Sequence, residues 1–174
     1  MDKFDGYDYL RIGTAVQQEA YAVLYKSQVI EKLSDFGAIL VGTIPIDIAV
    51  AGSDLDISCQ AVDLDSFEEY VEGEFCGYSG FKMQRLQLQG QDTVLVNFYV
   101  ESFEVELFCQ PIPVKMQNGY RHMRIEDTIL TKKGQSFKAE IIALKTKGIK
   151  TEPAFAQLLG IEGDPYVGLL NYME

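Results

Sequence analysis

The sequence predicts an α+β fold: a small mixed β-sheet flanked by helices, with a helical C-terminal tail. Three observations predict it. Apolar residues near the start recur at helical spacing, the middle holds short runs with strand-like alternation, and from Asn118 onward the pattern turns helical. At 174 residues the chain reads as one domain over 1–174. Its core falls at about 37–110 and its helical extension at about 117–174.

The elements follow in order. Thr14-x-x-Gln17 resembles a capping box, and Val16, Ala20, Val23, Ile30 and Leu33 form one stripe. That predicts a helix of about 20 residues ending near Gly37. AILV reads as a buried strand stopped at Gly42-Thr43, and IPIDIAV as a further short extended stretch. It leads through Ala51-Gly52-Ser53 into the strand DLDISCQ. DSFEEYVEGEF (65–75) reads as a surface helix. FKMQRLQLQ, TVLVNFYV and FEVELFCQ read as three strands, joined by hairpin-like breaks at Gly90-Gln91-Asp92 and Glu101-Ser102.

Composition narrows the function. Hydrophobic residues at 47% and charged residues at 24% suit a soluble globular protein. No run reaches the ~18 apolar residues of a membrane span, and the N-terminus has no basic leader, so the expected location is cytoplasmic with no membrane partner. The three cysteines are odd in number and lack CxxC spacing; Cys59 and Cys109 sit in apolar runs as small core residues. The net charge of −11 argues against binding long nucleic acid. Its distribution is uneven, because residues 115–150 hold nine Lys and Arg against three acids. Such a segment is either a local anion site or a solvated helix face.

Asp54-Leu55-Asp56 carries the chemistry. On a strand, Asp54 and Asp56 project from one face and Leu55 and Ile57 from the other. Two carboxylates ~4 Å apart repel by about 1 kcal/mol in water and ~4 at an effective dielectric of 20. A divalent cation offsets this, since Mg²⁺ takes one or two carboxylates plus substrate phosphates. Glu104 and Glu106 repeat the spacing in FEVELF. A neighbouring strand would add a third acid, enough for two metals in an in-line transfer. The bland alternative is a solvated sheet face. The upstream Gly42-Thr43 turn weighs against it, because small residues after a strand let phosphates approach backbone N–H groups.

"VGT" followed eleven residues later by "DLDI", with Val105-Glu106-Leu107 as a later acid flanked by hydrophobics, resembles the nucleotidyltransferase superfamily signature. More narrowly, the chain resembles an uncharacterised bacterial family assigned to that superfamily, through QNGYRHM (117–123), KTEPAFA (150–156) and GDPY (163–166). The resemblance implies a nucleotidyltransferase-like fold and a Mg²⁺ or Mn²⁺ ion held by the catalytic acids Asp54, Asp56 and Glu106. It also implies a nucleoside triphosphate met by Gly42 and Thr43. Thr43 departs from the usual Ser or Gly, keeping the hydroxyl but adding a methyl group.

Arg121 and Arg124 lie three apart on an expected helix and are candidate phosphate ligands. Lys145, Lys147 and Lys150 are candidates for the same far wall. His122, the only histidine, reads more readily as a packing or hydrogen-bonding residue than as a catalyst. Asp47 reads equally as an outer carboxylate or a turn former. Three functions fit these residues. One is a metal-dependent enzyme moving a nucleoside monophosphate from an NTP to a hydroxyl or protein acceptor, with a small molecule or protein favoured over a long RNA. The second is a nucleotide-binding module with little turnover. The third is an interaction protein with a solvated acidic face.

Overall fold

The structure is a computed structural model and describes residues 2–88 and 90–172. After two short 3₁₀ turns, α1 spans Ala15–Ser27. The backbone N–H of Thr14 donates to Gln17 Oε1 at 3.1 Å, closing the predicted box at its start. The expected 20-residue helix does not run unbroken. Gln28 adopts φ 55°, and the chain resumes as α2, Val29–Lys32, then a 3₁₀ turn ending at Gly37. Ala20, Val23 and Leu33 of the predicted stripe are buried across the break and Ile30 is half-buried, but Val16 is exposed and Gln17 takes the buried place in its turn.

Strand β1, Ile39–Val41, ends at Gly42. IPIDIAV is not extended as expected. Residues 43–47 form a turn closed by Asp47 N–H to the Ile44 carbonyl and Ile48 N–H to the Thr43 carbonyl, at 3.1 Å each. Asp47 takes φ 58° there and accepts from the Thr14 hydroxyl at 2.8 Å and from Lys138. It serves as a turn former.

Then follow β2 (Leu55–Gln60), α3 (Leu64–Phe75), β3 (Lys82–Leu88), β4 (Gln91–Val100) and β5 (Phe103–Gln110). The sheet order is β1-β2-β5-β4-β3, with only the β2·β5 pair parallel. α3 crosses over within the segment between those two strands. Its first turn is capped by Asp63, which accepts from the Asp65 and Ser66 N–H groups.

The sheet has two differently covered faces. Leu55, Ile57, Val105 and Leu107 are fully buried in a core with Leu24 of α1 and Phe67 and Phe75 of α3. The tail contributes α4 (Asn118–Thr146), α5 (Thr151–Leu159) and α6 (Pro165–Leu170). A second core forms around them from Val41, Ile48, Met123, Ile129 and Phe155. Gly134 (φ 78°, ψ −169°) leaves the helical region and divides α4 into two pieces. Among the described residues, no helix is long and apolar enough to cross a membrane.

Candidate functional site

Two strands and one turn build the first wall. In the parallel β2·β5 pair, Asp56 lies in register with Glu106. Register partners share a face, so both carboxylates leave the side opposite the Leu55–Val105 core. Asp54 stands one residue ahead of β2. Burial, reinforced by Asp54 and Glu106 and opposed by Lys145, pushes the Asp56 carboxyl up to about 8. Burial also raises Glu106; its hydrogen bond from Asn97 (Nδ2 to Oε2, 3.4 Å) pulls back, while Asp54 and Glu104 push further up. Glu104 accepts from Asn97 and from the Tyr99 hydroxyl, at 3.2 Å each.

The turn after β1 meets these acids. Gly42 has φ 78°, and a Cβ there would lie 2.1 Å from Asp56 Oδ2. Only glycine fits, for backbone and for space. Gln17 fixes the turn from behind, its buried side chain donating to the Ile44 carbonyl at 2.8 Å. A second small-residue turn, Val50–Ser53, delivers Asp54; the Ser53 hydroxyl accepts from Val50 N–H at 2.9 Å.

The opposite wall is helical. Gln117 ties the start of α4 to the sheet by donating to the Cys59 carbonyl at 2.7 Å. From there Gly119, His122, Met123 and Glu126 face a cleft of about 400 Å³, which Gly42, Thr43, Asp54 and Asp56 line from the other side. Residues 145–152 close one end with Lys145, Lys150 and Glu152. Lys145 is buried, and among the described residues its ammonium makes no hydrogen bond or ion pair within 4 Å. Burial pulls its ammonium down to about 8, against Glu126, Glu152, Asp56 and Asp54, which hold it up.

The sequence-derived residues therefore fall into two groups. Gly42, Thr43, Asp54 and Asp56 line the cleft, and Glu106 adjoins them through its register with Asp56. Arg121 and Arg124 do not line it. Arg121 donates to Asn118 at 3.1 Å, and Arg124 pairs with Asp2 at 2.7 Å over the Phe4 ring. Three-residue spacing placed them beside each other, but about a third of a turn or more from the His122–Glu126 face. Glu126 and Glu152 were not singled out in the sequence. The spacing Gly119-His122-Met123-Glu126 was the signal for Glu126, since it sets polar groups among small and apolar ones on one face; Glu152, on α5, had no such signal.

Among the described residues, no three His, Cys, Asp or Glu side chains stand arranged to hold a metal ion. The donors at Asp54, Asp56 and Glu106 nonetheless suit a hard cation. Asp56 and Glu106 are carboxylates raised first by burial and then by their acidic neighbours, and a bound cation would offset both.

Solved structures share this fold. They include a Cid1 poly(U) polymerase with MgGTP bound (TM-score 0.54, 15% identity, 74% of this chain and 41% of that one). A cytoplasmic RNA terminal U-transferase has a TM-score of 0.51 at 17% identity, over 90% of this chain and 44% of that one. A GLD-2/RNP-8 complex matches at TM-score 0.53 and 12% identity, over 88% and 58%. The chain thus spans from two-fifths to three-fifths of those chains, and at such identity the likeness is one of fold. No curated protein matches it in sequence. One family does, over residues 22–172, and the chain belongs to it: the domain of unknown function DUF4269.

Proposed function

We propose that the protein is a metal-dependent nucleotidyltransferase, moving a nucleoside monophosphate from an NTP to the hydroxyl of a small molecule or a protein. The observation that carries this reading is the facing pair of walls. Asp56 and Glu106 are in register with Asp54 beside them, and the unpaired Lys145 stands across the same cleft. The fold shared with a poly(U) polymerase solved with MgGTP supports it.

In this reading Asp54, Asp56 and Glu106 would hold Mg²⁺ or Mn²⁺, which supplies charge neutralisation at the phosphates. Gly42 and Thr43 let the triphosphate approach the backbone, where a Cβ could not stand. Lys145 and Lys150 oppose its negative charge from the helical side. The acceptor hydroxyl oxygen bonds to the α-phosphorus, the bond from that phosphorus to the bridging oxygen breaks, and pyrophosphate leaves. Glu106, beside Asp56 in the register, would take the hydroxyl proton in this reading.

A second reading, a nucleotide-binding module with little turnover, draws on the open arrangement of the acids. A thermal-shift panel of NTPs with and without Mg²⁺ or Mn²⁺ tests both. Stabilisation that needs metal and NTP together is expected, and its absence sinks both. Pyrophosphate release then separates the enzyme from the module.

A further inference from the structure

The helical wall of the cleft gathers polar groups short of hydrogen-bond partners. His122 is 6% exposed, and its Nε2 lies 3.0 Å from the Tyr166 carbonyl oxygen. A carbonyl only accepts, so Nε2 carries the proton and Nδ1 of the neutral ring is a bare acceptor. That Nδ1 stands 3.6 Å from Glu152 Oε1, within reach of an ion pair when the ring is protonated but too far for a hydrogen bond. Glu126, one turn beyond His122, is 3% exposed, and its Oε1 is buried without a hydrogen-bond partner. Buried polar atoms without partners are rare, and each calls for an explanation.

Charge points the same way. Four carboxylates line the cleft (Asp54, Asp56, Glu126 and Glu152) against two lysines. If Lys145 and Lys150 turn to a triphosphate and a divalent cation joins the sheet acids, Glu126 and Glu152 are left with no lysine and only the His122 ring beside Glu152. Burial, with help from Glu152 and against Lys145, pushes the Glu126 carboxyl up to about 8. Such a shift suits a carboxyl whose counter-charge arrives only with a ligand.

We propose that His122, Glu126 and Glu152 form the acceptor subsite, and that it takes an acceptor bearing a protonated amine near the hydroxyl that is nucleotidylated. An ammonium brings three N–H donors to these three acceptors and a positive charge to the two carboxylates. A neutral polyol supplies the hydroxyl but not the charge, and an acidic acceptor is repelled. The amine is held and makes no covalent bond; the hydroxyl alone reacts, and pyrophosphate and a proton leave. The proposal rests on the nucleotidyltransferase reading.

The test loads the protein with Mg²⁺ and a non-hydrolysable NTP, then titrates D-glucosamine, D-glucose and N-acetyl-D-glucosamine by calorimetry or ligand-observed NMR. Glucosamine is expected to bind at least about tenfold more tightly than either neutral sugar, the scale of one lost charge-assisted hydrogen bond. Glu126→Gln and Glu152→Gln should each erase most of that preference while Mg-NTP loading persists. Glu152 is only half-buried, so its variant keeps the test open should Glu126→Gln fold poorly. Loading without any preference for the amine overturns the subsite and leaves the functional reading standing. So does a preference that survives both substitutions. Failure to load Mg-NTP at all overturns the functional reading, and the subsite with it.

Discussion

The two walls of the cleft are built by opposite means. On the sheet side, Asp56 and Glu106 are locked by strand register, and the buried Leu55, Ile57, Val105 and Leu107 dictate which way they point. On the helical side, His122 and Glu126 come from one piece of α4. Lys145 and Glu152 arrive from beyond the Gly134 kink. The sheet wall gathers like charges at short range; the helical wall mixes a histidine, two acids and two lysines. A register is hard to shift without turning every core residue outward. The helical wall is held by side-chain packing across a glycine break and by no register, so the sheet side is suited to fixing the reacting end and the helical side to accommodating what comes to it.

That contrast predicts unequal responses to mutation. Asp56→Asn should have the largest effect, removing metal-dependent NTP turnover by several orders of magnitude in a pyrophosphate-release assay. It should also raise the melting temperature at neutral pH, because Asp56 is strained as a carboxylate in the free protein. Loss of activity with a lower melting temperature would mean a structural role instead. Gly42→Ala comes next. Its Cβ would strike Asp56, and φ 78° costs an L-residue about 1–2 kcal/mol. Nucleotide binding should fall at least tenfold, and unchanged binding would remove the turn from the phosphate site.

Lys145→Ala should weaken NTP binding by roughly 10- to 150-fold, the worth of a charge-assisted contact of ~1.5–3 kcal/mol. Arg121→Ala and Arg124→Ala should change it by less than about threefold, since neither lines the cleft and long-range attraction is screened. An arginine effect equal to that of Lys145 would reverse the assignment of the far wall.

Stability should follow pH through Glu126. Its folded pKa, about 8, stands above its ordinary 4.5. The folded protein therefore holds the proton more tightly between those values and loses stability as pH rises from about 4.5 to 8. Asp56, also raised to about 8, adds a slope of the same sign, so Glu126→Gln should reduce that slope without abolishing it in a melting series, with parent and variant converging near pH 4. Lys145 runs the other way, its pKa drawn below 10.5, so stability recovers between about 8 and 10.5. A parent slope of the opposite sign below pH 8 would deny that the Glu126 carboxyl is short of a counter-charge.

Alternation is local, so β3, β4, β5 and the Asp-Leu-Asp face were legible in the sequence. So was Gly42 as a special position, because an apolar run ending in glycine signals a turn. The long turn at residues 43–47 was not, since IPIDIAV has the composition of a strand and the bonds from Thr14, Gln17 and Lys138 that hold the turn come from distant parts of the chain. The cleft-facing side of α4 was hidden for a different reason. Arg121 and Arg124 carry the more conspicuous charges, and nothing in their spacing says which stripe meets the sheet. Packing decided it, with Met123 and Ile129 buried and the arginines outside.

The most direct measurement of the two-walled cleft is calorimetric titration of a non-hydrolysable NTP, with Mg²⁺ and with chelator, into the parent, Asp56→Asn and Lys145→Ala. Binding should require the metal in the parent, lose that requirement along with most affinity in Asp56→Asn, and keep it at reduced affinity in Lys145→Ala. Equal binding in chelator, or parent-like affinity in both variants, would contradict a nucleotide held between the strand acids and the α4 lysine.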